Sequence, residues 1–241
     1  MSNINKTVVA LSVAGLVALM AAPAAMAEKG DWIIRGGATM VDPKSNNLRL
    51  GDVTTEEEVV VATDATVNVD DATSFGFNVT YMVTDNFGIE LLAAYPFNHD
   101  IDLCLTPVGD PRACVPFGET DHLPPTLSAQ WRFMPDSPFQ PYVGLGINWT
   151  MFSSEKLTSD AVDLLESLGI TDPDIKLDDS VGIAAQIGID WFFTDRWLIN
   201  GDIRYIQIQS DLDVCGDGVC EKIGEVKIDP MVYSIMIGYK F

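Results

Sequence analysis

The chain's only imidazoles are His99 and His122, with Asp100, Asp102 and Asp121 near them in sequence. Imidazole beside carboxylate is acid–base chemistry. However, no G-x-S-x-G turn or other activated nucleophile accompanies the pair, so polar residues capping strand ends are the stronger reading than an enzyme. The four cysteines form two local pairs, Cys104/Cys114 and Cys215/Cys220. In an exported chain these read as disulfides, with the nearest-neighbour bonds Cys104–Cys114 and Cys215–Cys220 favoured among three connectivities. Zinc is the lesser reading, because C-x2-C spacing is absent and each pair sits on its own loop. No metal, cofactor or catalytic residue is therefore expected.

A second set of chemically able residues recurs at a spacing of two. Arg35, Glu90, Gln130, Arg132, Asp190, Asn200, Asp202 and Lys240 all share the minority, polar parity of segments that otherwise alternate with large apolar side chains. Strict alternation over such lengths is the signature of strands with one apolar face. The last segment shows it best, since Tyr233, Ile235, Ile237, Tyr239 and Phe241 alternate with Ser234, Gly238 and Lys240. An edge strand of a soluble sandwich is the alternative, but it would leave an aromatic terminus in need of a partner sheet.

The same pattern predicts strands at Gly30–Met40, Phe75–Val83, Phe87–Tyr95, Leu123–Phe133, Pro141–Ser153, Ser180–Phe193, Trp197–Gln209 and Met231–Phe241. Short turns at 84–86, 135–138 and 194–195 alternate with four longer loops. That makes an all-β fold, an eight-stranded antiparallel transmembrane β-barrel with both termini on the short-turn side. One long loop carries a predicted helix over Ser159–Leu168 stopped by Gly169, with Val162, Leu165 and Leu168 on one face. The acidic, Thr/Val-rich segment from Val41 to Asp71 is expected to be a surface loop with a short hairpin.

Lys6, the apolar run from Val8 to Met20 and Ala25-Met26-Ala27 form a signal peptide, residues 1–27, with the barrel over 28–241. Beyond it no run approaches the roughly 20 apolar residues of a membrane helix. With 14 Lys and Arg against 35 Asp and Glu, the chain carries a formal charge of −21. There is no basic footprint for nucleic acid. Yet 47% of residues are hydrophobic, which a lipid-facing belt beneath acidic loops reconciles.

Inward parity also joins Leu92, Ala94, Phe152, Ile206, Ile208, Ile228 and Val232, which lie nearer the outer loops. The lumen should thus be apolar above and closed below by paired charges. Pro124 and Pro125, at the outer end of a strand, supply no N–H to a ladder.

The run Thr80-Tyr81-Met82-Val83-Thr84-Asp85-Asn86-Phe87-Gly88-Ile89-Glu90-Leu91-Leu92-Ala93-Ala94-Tyr95-Pro96-Phe97-Asn98-His99 resembles the OmpW/AlkL family of outer-membrane proteins. So do His122-Leu123-Pro124-Pro125-Thr126, Gln130-Trp131 and Pro141-Tyr142-Val143-Gly144-Leu145-Gly146-Ile147-Asn148. The likeness spans nearly the whole mature chain and departs in the acidic first loop and the four cysteines. It implies an eight-stranded barrel in the outer membrane of a Gram-negative bacterium, with passive uptake of small hydrophobic molecules. It also points to a lateral exit into membrane lipid near Leu123, Pro124, Pro125 and Thr126. The terminal Phe241 resembles the signal that the barrel-assembly machinery reads. A structural or receptor barrel with a filled interior is the alternative.

Overall fold

A computed structural model describes residues 26–44, 48–49, 66–105, 113–167 and 169–241. In chain order the first strands are β1 (Trp32–Asp42), β2 (Leu48–Arg49), β3 (Thr66–Val69), β4 (Ala72–Met82) and β5 (Phe87–Ala94). Next come β6 (Phe97–Leu105), β7 (Ala113–Leu123), β8 (Thr126–Arg132) and β9 (Phe139–Leu157), then helix α1 (Ser159–Ser167). The chain ends with β10 (Asp174–Leu177), β11 (Ser180–Phe192), β12 (Trp197–Ile206), β13 (Gln209–Gly216), β14 (Val219–Lys227) and β15 (Met231–Lys240).

Eight of these strands close a barrel in the order β1-β4-β5-β8-β9-β11-β12-β15, and β15 returns to β1 through a ladder from Ile33/Lys240 to Asp42/Met231. Every neighbour is antiparallel. Burial follows the alternation read from the residues. Outward side chains such as Ile235 (73% exposed), Leu145 (72%) and Val181 (73%) have no protein to bury them, so a hydrocarbon solvent is the environment they fit. Aromatics ring both ends. Trp32, Tyr81, Phe139, Trp191, Trp197, Tyr239 and Phe241 touch one another near the short turns, and Phe75, Tyr95 and Trp149 stand exposed at the loop end.

Two of the short turns share one chemistry. In Thr84-Asp85-Asn86-Phe87 and Thr194-Asp195-Arg196-Trp197 the threonine hydroxyl accepts the N–H three residues on, at 3.0 and 2.9 Å.

The outer loops hold more strand than their sequence predicts. β6 and β7 form a hairpin that rides on the upper half of β9, with β3 and β2 beyond it, while β10, β13 and β14 form a second small sheet. Disulfides Cys104–Cys114 and Cys215–Cys220 each join residues directly opposite in a hairpin. Between the second pair, Asp217 (φ 50°) and Gly218 (φ 78°) make the two-residue turn that matches strand twist. Helix α1 is capped by Thr158, whose hydroxyl accepts the Ala161 N–H at 3.2 Å, and is stopped at Gly169 (φ 90°). Ala161 and Leu165 are its buried residues.

Three expectations change. The strand predicted over Leu123–Phe133 begins at Thr126, with Leu123 ending β7 instead, because Pro124 and Pro125 cannot donate to a ladder. The predicted strand ending at Gln209 stops at Ile206, where its neighbour β15 gives way to Pro230. The strand expected to end at Ser153 runs to Leu157 because β7 continues to pair with it. The first-loop segment 50–65, residues 1–25 of the expected signal peptide, and Leu168 lie outside the described residues.

Candidate functional site

The lumen is built in layers by the inward residues of successive strand positions. Nearest the short turns, Ile33, Met82, Phe192 and Leu198 pack together. This apolar floor was not anticipated, and it places the charges one layer above the base. Above it the character reverses. Arg35, Arg132 and Arg204 face Glu90, Asp190 and Asp202, all buried, so three cations meet three carboxylates and the layer carries no net charge.

The contacts are close and shared. Arg35 forks onto Asp190, Nε to Oδ1 at 3.0 Å and Nη2 to Oδ2 at 2.5 Å. Its Nη1 donates to Asn78 and Thr80, both at 2.8 Å. Arg132 reaches the same Asp190 at 2.6 Å. Arg204 pairs with Glu90 at 2.7 Å, lies 3.5 Å from Asp202 and also bonds Gln186. Gln130 donates to Glu90 at 2.8 Å, and Asn200 donates to Asp190 at 2.8 Å and to the Tyr142 hydroxyl at 3.0 Å. That hydroxyl donates in turn to Asp202 at 2.9 Å. Bidentate, charge-assisted bonds of this kind are the strong ones.

Seven of the eight polar residues singled out from sequence therefore meet in one cluster. Lys240 does not. It sits at the short-turn end, 3.5 Å from Asp31, because β15 reaches its last residues below the charged layer. Sequence reasoning missed Arg204, Tyr142, Gln186 and Asn78 as members. Their inward parity was the available signal.

Above the charges the lumen turns apolar. Ile206, Ile208 and Val232 pack with Val41, Ala72, Phe97 and Ala184, and Ala94, Phe152 and Ile228 lie against them. Leu92 is buried too, and its ladder partners Asn78 and Thr126 set it between the polar and apolar layers. Beside this apolar layer the wall is interrupted. The β5–β8 ladder ends at Leu92/Thr126 and the β6–β7 ladder begins at Phe97/His122. No backbone hydrogen bond joins residues 93–96 to 123–125: Tyr95 donates to Phe75 instead, and the Pro125 carbonyl accepts Trp149 from β9. Leu123 remains paired with Met151 of β9, so the break is on one side only.

Over the apolar layer lies a cavity of about 40 Å³, lined by Phe152, Ile208 and Ile228 together with His99 and His122. The histidine rings stack at 4.7 Å. His99 Nδ1 lies 2.6 Å from the Asp70 carbonyl, and among the described residues no carboxylate is hydrogen-bonded to either ring, so the acid–base alternative gains no paired carboxylate. Burial is the main reason both rings are held neutral: the His99 pKa is lowered despite nearby Asp71, Asp100 and Asp121, and that of His122, beside His99, is pushed down to about 3. Among the described residues no three His, Cys, Asp or Glu side chains come together as a metal site.

Two outcomes follow from this geometry. Asp190→Asn leaves Arg35 and Arg132 without their shared anion, so it should lower barrel stability by about 3–5 kcal/mol in urea titration. Glu119→Gln, which breaks the exposed Lys156–Glu119 pair, should change it by less than about 1 kcal/mol. Equal effects would contradict the assignment. A chain whose histidines titrate near 6.5 when unfolded binds more protons than the native barrel between about pH 6.5 and 3. The His contribution to stability is thus present above pH 6.5 and declines as pH falls toward 3. Imidazole NMR shifts of His122 should not move between pH 7.5 and 4.5; a midpoint near 6.5 would show a solvated ring.

Known proteins share this architecture. The chain matches the OmpW family over residues 28–241. It is 35% identical over 238 residues to outer membrane protein W of Vibrio cholerae, covering 98% of this chain and 100% of the relative. Outer membrane protein AlkL of Ectopseudomonas oleovorans is 25% identical over 181 residues, 74% of this chain and 70% of AlkL. The crystal structure of OprG from Pseudomonas aeruginosa superposes with a TM-score of 0.72 at 34% identity, covering 90% of this chain and 99% of OprG. A closed barrel with a lipid-facing belt and a match over the whole of its length lead to one conclusion: the chain belongs to the OmpW family of Gram-negative outer-membrane proteins.

Proposed function

We propose that this barrel admits small hydrophobic molecules from outside and releases them sideways into the membrane. The observation that carries the reading is the change of lumen character beside a break in the wall. A solute in the apolar layer meets a floor of matched charges. To pass it would have to separate buried pairs, at about 3–5 kcal/mol for each one broken. Leaving laterally requires only that apolar side chains such as Phe152 and Ile228 move aside, with contacts to the solute replacing those lost. A hydrocarbon then gains about 0.8 kcal/mol per methylene on leaving water for lipid. The break stands level with Tyr95, Phe75 and Trp149, which are exposed aromatics at the outer edge of the belt, so an opening there faces hydrocarbon rather than solvent.

The second reading is a barrel with a filled interior that transports nothing. It draws on the packing of Ile206, Ile208 and Val232 with their neighbours, and flux measurement separates the two. Continuing the β5–β8 register past Leu92/Thr126 would set Ala94 opposite Pro124. Ala94→Cys with Pro124→Cys, once oxidised, should therefore reduce liposome uptake of a hydrophobic probe at least tenfold, and reduction should restore it. The unsubstituted protein, put through the same oxidation and reduction, controls for its native disulfides. Full uptake in the cross-linked form would refute a lateral exit here.

Residues 1–27 we assign to a signal peptide cleaved after Ala27. The supporting observation is the basic, apolar and A-x-A succession at the start of the chain. Intact mass of the exported protein should begin at Glu28; a mass retaining Met26 and Ala27 would contradict the assignment.

A further inference from the structure

The stacked histidines are polar groups placed where the uptake reading needs none. His99 and His122 are 3% and 4% exposed, and both line the cavity above the apolar layer. The Nε2 atom of each is buried without a hydrogen-bond partner, which is costly in an apolar setting unless something else satisfies it. The tautomer of His99 follows from its other nitrogen. The Asp70 carbonyl 2.6 Å from Nδ1 can only accept, so Nδ1 carries the proton and Nε2 is a bare acceptor. Held neutral by burial, that nitrogen offers a lone pair and no charge. His122 is fixed by ring contacts instead, with Phe97 at 5.2 Å, Phe152 at 6.2 Å and His99 itself. Ring packing leaves its Nε2 free to act as donor.

We propose that His99 and His122 form a recognition site for the hydroxyl group of an otherwise apolar molecule, such as a phenol or an alkanol. A hydroxyl is a small neutral group that both donates and accepts through one atom, so it can give its proton to His99 Nε2 and take one from His122 Nε2. A carboxylate is disfavoured, since it could not donate to His99 and would lie in the field of Asp71, Asp100 and Asp121. An ammonium would lose its hydration among Phe152, Ile208 and Ile228. The cavity of about 40 Å³ is the room of roughly three waters, enough for the hydroxyl end. The remainder of the molecule then lies along Phe152, Ile208 and Ile228, which belong to both the cavity and the apolar layer. The site thus selects what enters the lumen, and this consequence rests on the uptake reading, whereas binding does not.

The matched probes are p-cresol and p-xylene, which differ by a hydroxyl in place of a methyl. In nanodiscs of the mature barrel, p-cresol should shift the 15N resonance of His99 Nε2 and p-xylene should leave it in place. No shift with p-cresol, or equal shifts with both, overturns the proposal without any variant being made. His99→Phe with His122→Phe keeps the stacked rings but removes the nitrogens. It should lower the affinity ratio of p-cresol over p-xylene by about tenfold, equivalent to about 1.4 kcal/mol; an unchanged ratio overturns the site. Liposome flux separates the two claims. A p-cresol shift with no flux of either probe sinks uptake and leaves the site standing, whereas flux of both probes at one rate with no shift does the reverse.

Discussion

Six charges buried in one layer are the constraint on which this barrel turns. Arg35 on β1, Glu90 on β5, Arg132 on β8, Asp190 on β11 and Asp202 and Arg204 on β12 converge from five strands, and Tyr142 of β9 bonds into them. Because side chains alternate along a strand, slipping any one register by a single residue would swing a charge into lipid. Charge matching therefore adds to the apolar faces in specifying the pairing of strands. It also occupies the lumen, because eight strands enclose a space that side chains can fill.

Everything above that layer follows from what it cannot do. A barrel whose middle is filled with paired ions has no axial route for an apolar molecule, so its upper interior is either an unused core or a vestibule with a side door. In the function proposed above, proline makes the door. Two consecutive residues without N–H groups leave the β5–β8 edge unpaired for a few residues, while β9 holds the other edge through the Pro125 carbonyl and Leu123. The Tyr95 N–H and the Pro125 carbonyl find other partners in Phe75 and Trp149, which lowers the cost of the defect. The disulfide-closed hairpins and β10 then raise the wall above the bilayer, where burial of Ile175, Leu212 and Val226 gives the outer sheets a small core of their own.

The barrel itself was legible because burial on one face leaves a period of two that no helix reproduces. All eight wall strands came through, and seven of eight lumen polar residues met. What was not legible has physical reasons. Lys240 shares the inward parity of its strand, but height along the barrel depends on stagger between strands, which parity does not carry. Arg204 was visible as an inward cation, yet its partner Glu90 lies far away in sequence and only closure brings them together. The outer hairpins were hidden because their faces are partly covered and their alternation is weak; the Cys215-Gly-Asp-Gly-Val-Cys220 run, with its Asp-Gly turn, was the one overlooked signal. His99 and His122 stood out as acid–base residues, but their stacking depends on the register of the β6–β7 hairpin, and it turns them from capping groups into cavity walls.

Closure of the lumen by the ion layer is the claim from which the rest is drawn, and ions test it directly. The protein reconstituted in a planar bilayer should pass no current that steps above the lipid baseline in molar potassium chloride, because no water-filled path crosses the layer of Arg35, Glu90, Asp190 and Arg204. Stable single-channel steps comparable with those of a porin would contradict it.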